Sequence, residues 1–257
     1  MNMVIEPAWT NSPRKLLLDR SEVHVWKIDL DAGPDTPATL LELLSEQERG
    51  QARRFHHMRD RSGYVISHGM LRMLLGGYLD VHPGTIDVAV TADGKPYLLP
   101  LPGRPSVSFN LSHSGGLAVI AIAASPEIGI DIECLDSDFP IADAACQVLT
   151  DTEFEALASL PEQLRIPAFY RFWTMKEAYL KGVGTGITRE MNSLEITAFP
   201  GKPAYRCGAA DVPKGAGDWI LFELPPIPGY AGALAVRTGP SAVRCFEAIP
   251  DARFGFL

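Results

Sequence analysis

Hydrophobic and polar positions alternate along several short stretches of the chain and recur at helical spacing along longer ones. Alternation predicts strands over about 23–28, 86–90, 95–99, 107–111, 117–124 and 127–133. Capping residues and helical spacing predict helices over about 46–56, 60–75, 150–160 and 166–181. Glycine and proline clusters separate these elements, as expected of turns. The pattern therefore predicts an α+β protein with antiparallel sheets.

One short motif occurs twice. Gly94-Lys95-Pro96 recurs as Gly201-Lys202-Pro203, and the second long helix ends at the position that corresponds to Gly76-Gly77. In both halves the pattern runs from a helix through an alternating strand and a GKP turn to a return strand. A duplicated α+β unit predicts two pseudo-symmetric lobes, 1–124 and 125–257, with a site between them. We interpret Lys202, in the second copy, as structural.

The stretch from Ile128 to Glu133 alternates perfectly. Because side chains alternate between the two faces of a strand, Gly129, Asp131 and Glu133 share one face and the isoleucines share the other. Two acids on one strand face repel each other unless a cation lies between them. Mg²⁺ takes such oxygen ligands, usually one or two carboxylates with waters and substrate phosphates. A half-solvated edge strand is the structural alternative.

The helix predicted over 166–181 carries a second set of polar residues. Trp173, Glu177 and Lys181 are spaced i, i+4, i+8 and lie along one stripe of the helix. A surface ion pair between Glu177 and Lys181 is the alternative interpretation. Strand and helix together predict a divalent-metal site suited to phosphoryl chemistry.

Composition narrows the class of protein. The chain is 46% hydrophobic and 21% charged, which is typical of a soluble globular protein, and its net charge of −8 excludes bulk nucleic-acid binding. Its longest fully apolar run, 117–124, is too short to span a membrane. The four cysteines form no C-x-x-C motif, which indicates reduced thiols and a cytoplasmic protein.

The motifs and their order along the chain resemble those of the Sfp-type 4′-phosphopantetheinyl transferases, the holo-carrier-protein synthases. The resemblance covers 45–186 and rests on these segments: Arg53-Arg54-Phe55, Gly94-Lys95-Pro96, Phe109 to Ser114, Gly129 to Glu133, and Trp173 to Lys181. The single-chain length suits the two-lobed class, which implies a monomer, better than the small trimeric synthases. The family fold is the two-lobed arrangement that the duplication predicts.

The resemblance implies a reaction. Coenzyme A donates its 4′-phosphopantetheine arm to a serine of an apo acyl- or peptidyl-carrier protein, and 3′,5′-ADP leaves. Asp131, Glu133 and Glu177 are the implied ligands of Mg²⁺, although Mn²⁺ suits the same oxygens. Glu177 is the implied general base, directly or through a water. Lys181 is implied to stabilise the diphosphate and to protonate the leaving phosphate.

The resemblance also implies where coenzyme A binds. Ser112 and His113 are expected at its phosphates, with a protonated His113 on the 3′-phosphate, so that affinity falls as the pH rises through the pKa of His113. Lys95 and Pro96 are expected at the nucleotide end. A structural hydrogen bonder and a solvated turn lysine are the respective alternatives for His113 and Lys95.

The chain departs from the family pattern before the R-R-F segment, because Glu48 and Gln51 stand where better-known members have lysines. Arg53 or Arg54 is therefore expected to hold the 3′-phosphate. Arginines are concentrated over 49–72, a local basic bias that suits a polyphosphate or an acidic carrier. Helix capping and solvation are the structural alternative for several of them.

Two other functions stay open from the sequence. A metal-dependent hydrolase of the coenzyme A diphosphate would use the same acids, although the chain has no R-E-x-x-E-E helix. A relative without activity that only binds carrier proteins is the second alternative. Fatty-acid, polyketide, peptide-synthetase and aminoadipate-type carriers are all compatible acceptors.

Overall fold

The computed structural model describes most of the chain. The described residues are 4–13, 15–31, 33, 36–124, 127–184, 191–198, 205–209, 219–237 and 241–248. Their thirteen strands are β1 Val4–Ile5, β2 Thr10–Asn11, β3 Glu22–Asp29, β4 Val88–Val90, β5 Pro96–Leu98, β6 Ser108–Ser114, β7 Leu117–Ala123, β8 Ile128–Cys134, β9 Leu194–Ala198, β10 Tyr205–Ala209, β11 Ile220–Glu223, β12 Tyr230–Val236 and β13 Ala242–Ala248. Their α-helices are α1 Thr36–Leu41, α2 Glu46–Ala52, α3 Met58–Leu79, α4 Ile141–Val148, α5 Asp151–Ala158 and α6 Glu162–Val183.

Two sheets form the centre of the protein. The first has the order β1-β13-β3-β7-β6, with β2 also paired to β13, and the second has the order β8-β12-β11-β10-β9. Strands β4 and β5 form a separate hairpin. All pairings are antiparallel except those of β13 with β1, β2 and β3. The α+β class predicted from the sequence is confirmed.

The two halves repeat one order of elements. In the first half β3 precedes the long helix α3, and the hairpins β4–β5 and β6–β7 follow. In the second half β8 precedes α6, and the hairpins β9–β10 and β11–β12 follow. The long helix has 22 residues in both. This repetition supports the duplicated unit, although the second GKP motif, 201–203, lies outside the described residues.

One strand crosses between the halves. Strand β13 comes from the second half of the sequence, yet it pairs along its whole length with β3 in the first sheet. The division into 1–124 and 125–257 stays a prediction. The first sheet contains strands from both of these ranges.

Three apolar clusters hold the layers together. Helix α3 covers one face of the first sheet, and α6 covers one face of the second. The remaining faces pack on each other, with Val25 of β3 and Ile130 of β8 both fully buried between them. The isoleucine face predicted for β8 therefore lies in the core between the sheets.

Helix boundaries differ from the predictions where packing outweighs local propensity. Helix α3 does not stop at Gly76-Gly77 but continues to Leu79, because Tyr78 and Leu79 are buried in the core under the first sheet. Helix α2 ends at Ala52 rather than near residue 56. Helix α6 begins at Glu162 and accommodates Pro167 near its start. No helix in the described part of the chain is both long and apolar enough to cross a membrane.

Strand β6 is longer than predicted. The sequence predicts a turn from Ser112 onward, but the strand continues to Ser114, which pairs with Leu117, and the turn consists of Gly115 and Gly116. Tight pairing with β7 keeps the backbone extended through the serines. Asn110, Ser112 and Ser114 consequently share one face of β6.

A buried lysine anchors helix α6. Lys176 is fully buried; its ammonium forms an ion pair with Glu153 and donates to the carbonyl oxygens of Val148, at 2.7 Å, and Met191, at 3.2 Å. Glu153 also accepts from the backbone N–H of Ile196 at 2.9 Å. Lys176 thus joins α6 to α4, to α5 and to the segment that enters β9, and it fixes the helix that carries Glu177.

Strand β8 and helix α6 touch through two glycines. A Cβ atom at Gly129 would lie 2.0 Å from the carbonyl oxygen of Ala178 and 2.3 Å from the backbone nitrogen of Gly182. Gly182 is equally confined, because a Cβ there would lie 2.5 Å from the Trp219 ring. Only glycine permits this approach, which brings the acidic face of β8 against the polar stripe of α6.

We expect Gly129→Ala to destabilise the protein by at least about 3 kcal/mol, because the added methyl group meets backbone that cannot rotate away. Chemical denaturation measures the loss. Gly50→Ala in α2 is the matched control, since a Cβ there meets nothing closer than 4.0 Å, and it should stabilise by about 0.5–1 kcal/mol. Equal stability of both variants would contradict the close approach.

Lys176→Met should cost about 3–5 kcal/mol, because it leaves the buried Glu153 carboxylate without its cation. The same substitution at Lys27, which pairs with Glu247 at the surface, should cost under about 1 kcal/mol. Urea unfolding of the two variants side by side tests the difference. A loss for Lys176→Met no greater than that for Lys27→Met would show that the buried pair does not anchor α6.

Candidate active site

Strand β6 of the first sheet lies beside strand β8 of the second. Three polar side chains of β6 each form a hydrogen bond with a residue of β8. The Asn110 side-chain oxygen accepts from the backbone N–H of Ile130 at 2.8 Å. Ser112 donates to Asp131 Oδ1 at 2.8 Å, and Ser114 donates to Glu133 Oε2 at 2.7 Å. The two halves of the protein are therefore joined by hydrogen bonds at the predicted acidic face.

Lys181 completes this group from α6. Its ammonium lies 2.6 Å from Asp131 Oδ1 and 2.9 Å from the Ser112 hydroxyl. The ion pair that the structure gives Lys181 is with Asp131, across 50 residues of sequence, and not with Glu177 one turn before it on the helix. Among the described residues, the structure therefore does not contain the Glu177–Lys181 surface pair that the sequence left open as an alternative.

Asp131 is almost completely buried, with 1% of its surface exposed. Oδ1 is well satisfied, but Oδ2 is buried and has no hydrogen-bond partner among the described residues. Burial raises the pKa of the carboxyl, an effect that Lys181 and Ser112 oppose. A buried carboxylate oxygen without a partner is costly, so this atom fits a cation ligand.

The other two acids have similar surroundings. Burial raises the pKa of Glu133 and of Glu177, and the charge of Asp131 raises both further. Acids that raise one another's pKa repel each other when ionised, and a divalent cation relieves that repulsion. Within the described residues, however, no three acidic, histidine or cysteine side chains converge as a formed metal site. The three acids fit Mg²⁺ by their chemistry and their burial.

A cavity of about 260 Å³ opens beside this group. Glu177 and Lys181 line it from α6, and Lys95 and Pro96 line it from the GKP turn of the first half. The cavity therefore lies between the two halves and exposes the helix residues to a ligand. Asp131 and Glu133 are not among the residues that line it.

Lys95 has partners that the sequence did not indicate. Its ammonium donates to the carbonyl oxygen of Gly182 at 2.6 Å and to that of Ile128 at 3.2 Å. Burial lowers its pKa. Lys95 thus ties the first half to the end of α6 and the start of β8, and contact with a phosphate would compete with these bonds.

A second cavity, of about 620 Å³, adjoins the first, since Pro96, Asn110 and Leu111 line both. Its other walls include Arg54 and a stacked pair of rings, Tyr64 and His68, whose centroids are 4.0 Å apart. An aromatic wall and a guanidinium in one cavity suit a base and a phosphate.

The two predicted arginines are placed differently. Arg54 lines the larger cavity, whereas Arg53 is not among its lining residues and forms an exposed ion pair with Glu46 at 2.9 Å. Glu48, which replaces a family lysine, accepts from the backbone of Ser45 and binds Arg72 at 2.7 Å. Its hydrogen bonds and the Arg72 charge lower the pKa of Glu48 to about 2 despite its burial. Glu48 is therefore a fixed anion in the cavity wall.

His113 points away from its serine neighbours and reaches the surface. The surrounding protein lowers its pKa, and the positive charges of His68 and Lys181 lower it further, while Asp60 opposes them. His113 is therefore harder to protonate in the free protein than an ordinary histidine.

Sequence reasoning missed four residues of this site: Asn110, Ser114, Tyr64 and His68. The period-2 spacing of Asn110, Ser112 and Ser114 was a usable signal, and it becomes evident once β6 is extended to residue 114. The i, i+4 spacing of Tyr64 and His68 likewise predicts neighbours on one face of a helix.

Comparison with known proteins gives matches along most of the chain. The family model described as "4'-phosphopantetheinyl transferase, N-terminal" matches residues 33–126, and that of the "4'-phosphopantetheinyl transferase superfamily" matches residues 127–219.

Individual relatives agree with these matches. The 4'-phosphopantetheinyl transferase of Bacillus subtilis is 31% identical over 61% of this chain and 67% of its own length. The transferase named Sfp, from Bacillus subtilis strain 168, is 28% identical over the same shares. The 4'-phosphopantetheinyl transferase HetI of a Nostoc species is 36% identical over 91% of this chain and 95% of its own length. Because HetI is matched over nearly its full length, this chain belongs to the 4′-phosphopantetheinyl transferase family.

Proposed function

We propose that this transferase moves the 4′-phosphopantetheine arm of coenzyme A to a serine of an apo carrier protein, with Mg²⁺ held by Asp131, Glu133 and Glu177. The observation that carries the proposal is the buried Asp131, whose Oδ2 has no partner among the described residues, on the strand face that also bears Glu133. Family membership supplies the reaction, and this geometry supports its location at these residues.

In the proposed reaction the carrier serine oxygen forms a bond to the phosphorus that bears the pantetheine arm. The bond from that phosphorus to the bridging oxygen of the diphosphate breaks, and 3′,5′-ADP leaves with both electrons of the broken bond. The serine proton must be removed, and negative charge collects on the leaving phosphate. Positioning and electrostatic stabilisation account for most of the catalysis in such reactions.

Residues on α6 match these two needs. Glu177 lines the smaller cavity and has a raised pKa, which makes it a stronger base toward the serine proton. Lys181 lines the same cavity and carries the positive charge that the leaving phosphate requires. Bound Mg²⁺ would neutralise the diphosphate and orient it.

The two adjoining cavities suit the two ends of coenzyme A. We place the diphosphate in the smaller cavity, next to Glu177 and Lys181, and the nucleoside with its 3′-phosphate in the larger one, between Arg54 and His68. Ser112 and His113, on the same strand, would contact the phosphates from the first half. Arg53, the other arginine expected at the 3′-phosphate, would have to leave its exposed ion pair with Glu46 to reach it.

We further propose two lobes, 1–124 and 125–257, acting together as one monomer in the cytoplasm. The family matches meet between residues 126 and 127, close to this boundary. A single chain that supplies both walls of the cleft needs no second copy. The four cysteines, with no C-x-x-C motif, suit a reducing compartment.

Asp131→Asn, Glu133→Gln and Glu177→Gln should each lower transfer by at least about 10²-fold, because each removes a charge from the metal or base position. Intact mass spectrometry of apo carrier proteins mixed with enzyme, coenzyme A and Mg²⁺ measures the gain of one phosphopantetheine. EDTA should abolish the gain.

Glu162→Gln, in the first turn of the same helix, is the matched control and should leave transfer unchanged. Full transfer by all three variants would contradict the acid assignments. Cleavage of coenzyme A without carrier modification would instead favour the diphosphate hydrolase, and carrier binding without turnover would favour the inactive relative.

Coenzyme A should bind more tightly as the pH falls, until His113 is already protonated in the free protein, because burial lowers the pKa of His113 there and only its protonated form pairs with the 3′-phosphate. Calorimetric titration from pH 5 to 8 measures this affinity. 3′-Dephospho-coenzyme A is the control ligand, and its affinity should change much less. Parallel pH profiles for the two ligands would place His113 away from the 3′-phosphate.

A further inference from the structure

Asp131 Oδ1 already has a positive partner. The Lys181 ammonium lies 2.6 Å from this oxygen. It also donates a hydrogen bond to the Ser112 hydroxyl at 2.9 Å. The Asp131 side chain is 2% exposed and that of Lys181 is 32% exposed, so the lysine reaches from the cleft into a buried position. A buried carboxylate without a counter-ion would cost several kcal/mol, and Lys181 meets that need.

The proposed metal site requires the same carboxylate. A divalent cation bound to Asp131, Glu133 and Glu177 would bring two positive charges next to the lysine ammonium. Two cations at one carboxylate repel each other strongly in a poorly solvated site. The absence of a formed three-acid cluster among the described residues agrees with a side-chain arrangement set by the lysine.

We propose that Lys181 and the divalent metal are alternative counter-ions of Asp131: the lysine holds the carboxylate in the free enzyme and leaves it when the metal binds. The proposal rests on the metal site proposed above and adds a positioning role for Lys181. The exchange breaks the ion pair between Lys181 and Asp131 and forms a bond between the Asp131 carboxylate and the metal.

The Lys181 side chain has open space beside it. Lys181 lines the cavity of about 260 Å³ together with Glu177, so its chain can swing from the buried carboxylate toward the cleft. The cleft is where the proposed function places the diphosphate. One movement would therefore free Asp131 for the metal and bring the ammonium to the substrate.

The exchange predicts that removing the lysine charge strengthens metal binding while it weakens catalysis. Without coenzyme A, Lys181→Met should bind Mn²⁺ at least about tenfold more tightly than the unaltered enzyme, since no cation must be displaced. Calorimetry or electron paramagnetic resonance of bound Mn²⁺ measures this. The same variant should transfer phosphopantetheine more slowly.

Lys27→Met is the matched control, because it removes a lysine paired with a carboxylate at the surface, and its Mn²⁺ affinity should be unchanged. Lys181→Gln provides a second neutral variant if the methionine variant does not fold. Circular dichroism confirms the fold of each.

Equal or weaker Mn²⁺ binding by the folded, neutral variants would overturn the exchange. If transfer by the unaltered enzyme is then still abolished by EDTA, the metal site stands and the exchange alone fails. If transfer proceeds in EDTA and no variant binds Mn²⁺, the metal site itself is wrong. Tighter binding with slower transfer is the combination that the exchange predicts.

Discussion

The contact between strand β8 and helix α6 is so close that backbone lies against backbone at Gly129 and Gly182. Any side chain at Gly129 would separate the two elements. The separation matters because Asp131 and Glu133 project from the strand and Glu177 and Lys181 from the helix. Lys176 and Lys95 act on the same contact from two sides, one anchoring α6 in the second half and the other tying its end to the first.

The site is therefore a junction of three elements whose charges depend on one another. Strand β6 contributes hydroxyl donors, β8 contributes acids, and α6 contributes an acid and a cation. Burying acids in such a junction raises their pKa, which makes them costly to keep ionised and ready to accept a cation. In the proposed function, a bound Mg²⁺ would relieve the repulsion among these acids and neutralise the diphosphate.

Periodicity within single elements predicted much of this site. The two faces of β8 and the stripe of Glu177 and Lys181 follow from the repeat of a strand and of a helix, and the order of motifs indicated the family. Contacts between elements could not be predicted that way. Lys181 bonds to Asp131, 50 residues away, and Lys95 bonds to Gly182, 87 residues away. The local sequence pattern around each lysine equally fits a surface pair. Helix α3 continued past Gly76-Gly77 because burial of Leu79 outweighed the glycines.

Strand β13 gives the protein an order of assembly. It lies inside the first sheet, between β1 and β3, although residues 242–248 are synthesised after every other strand of that sheet. When only the first half of the chain has left the ribosome, the first sheet lacks β13 and β3 forms an open edge. Completion of that sheet must wait until the second half has emerged, so the two halves finish folding together and not one after the other. An exposed β3 edge during this interval is where a nascent chain of this enzyme is most open to pairing with a neighbour.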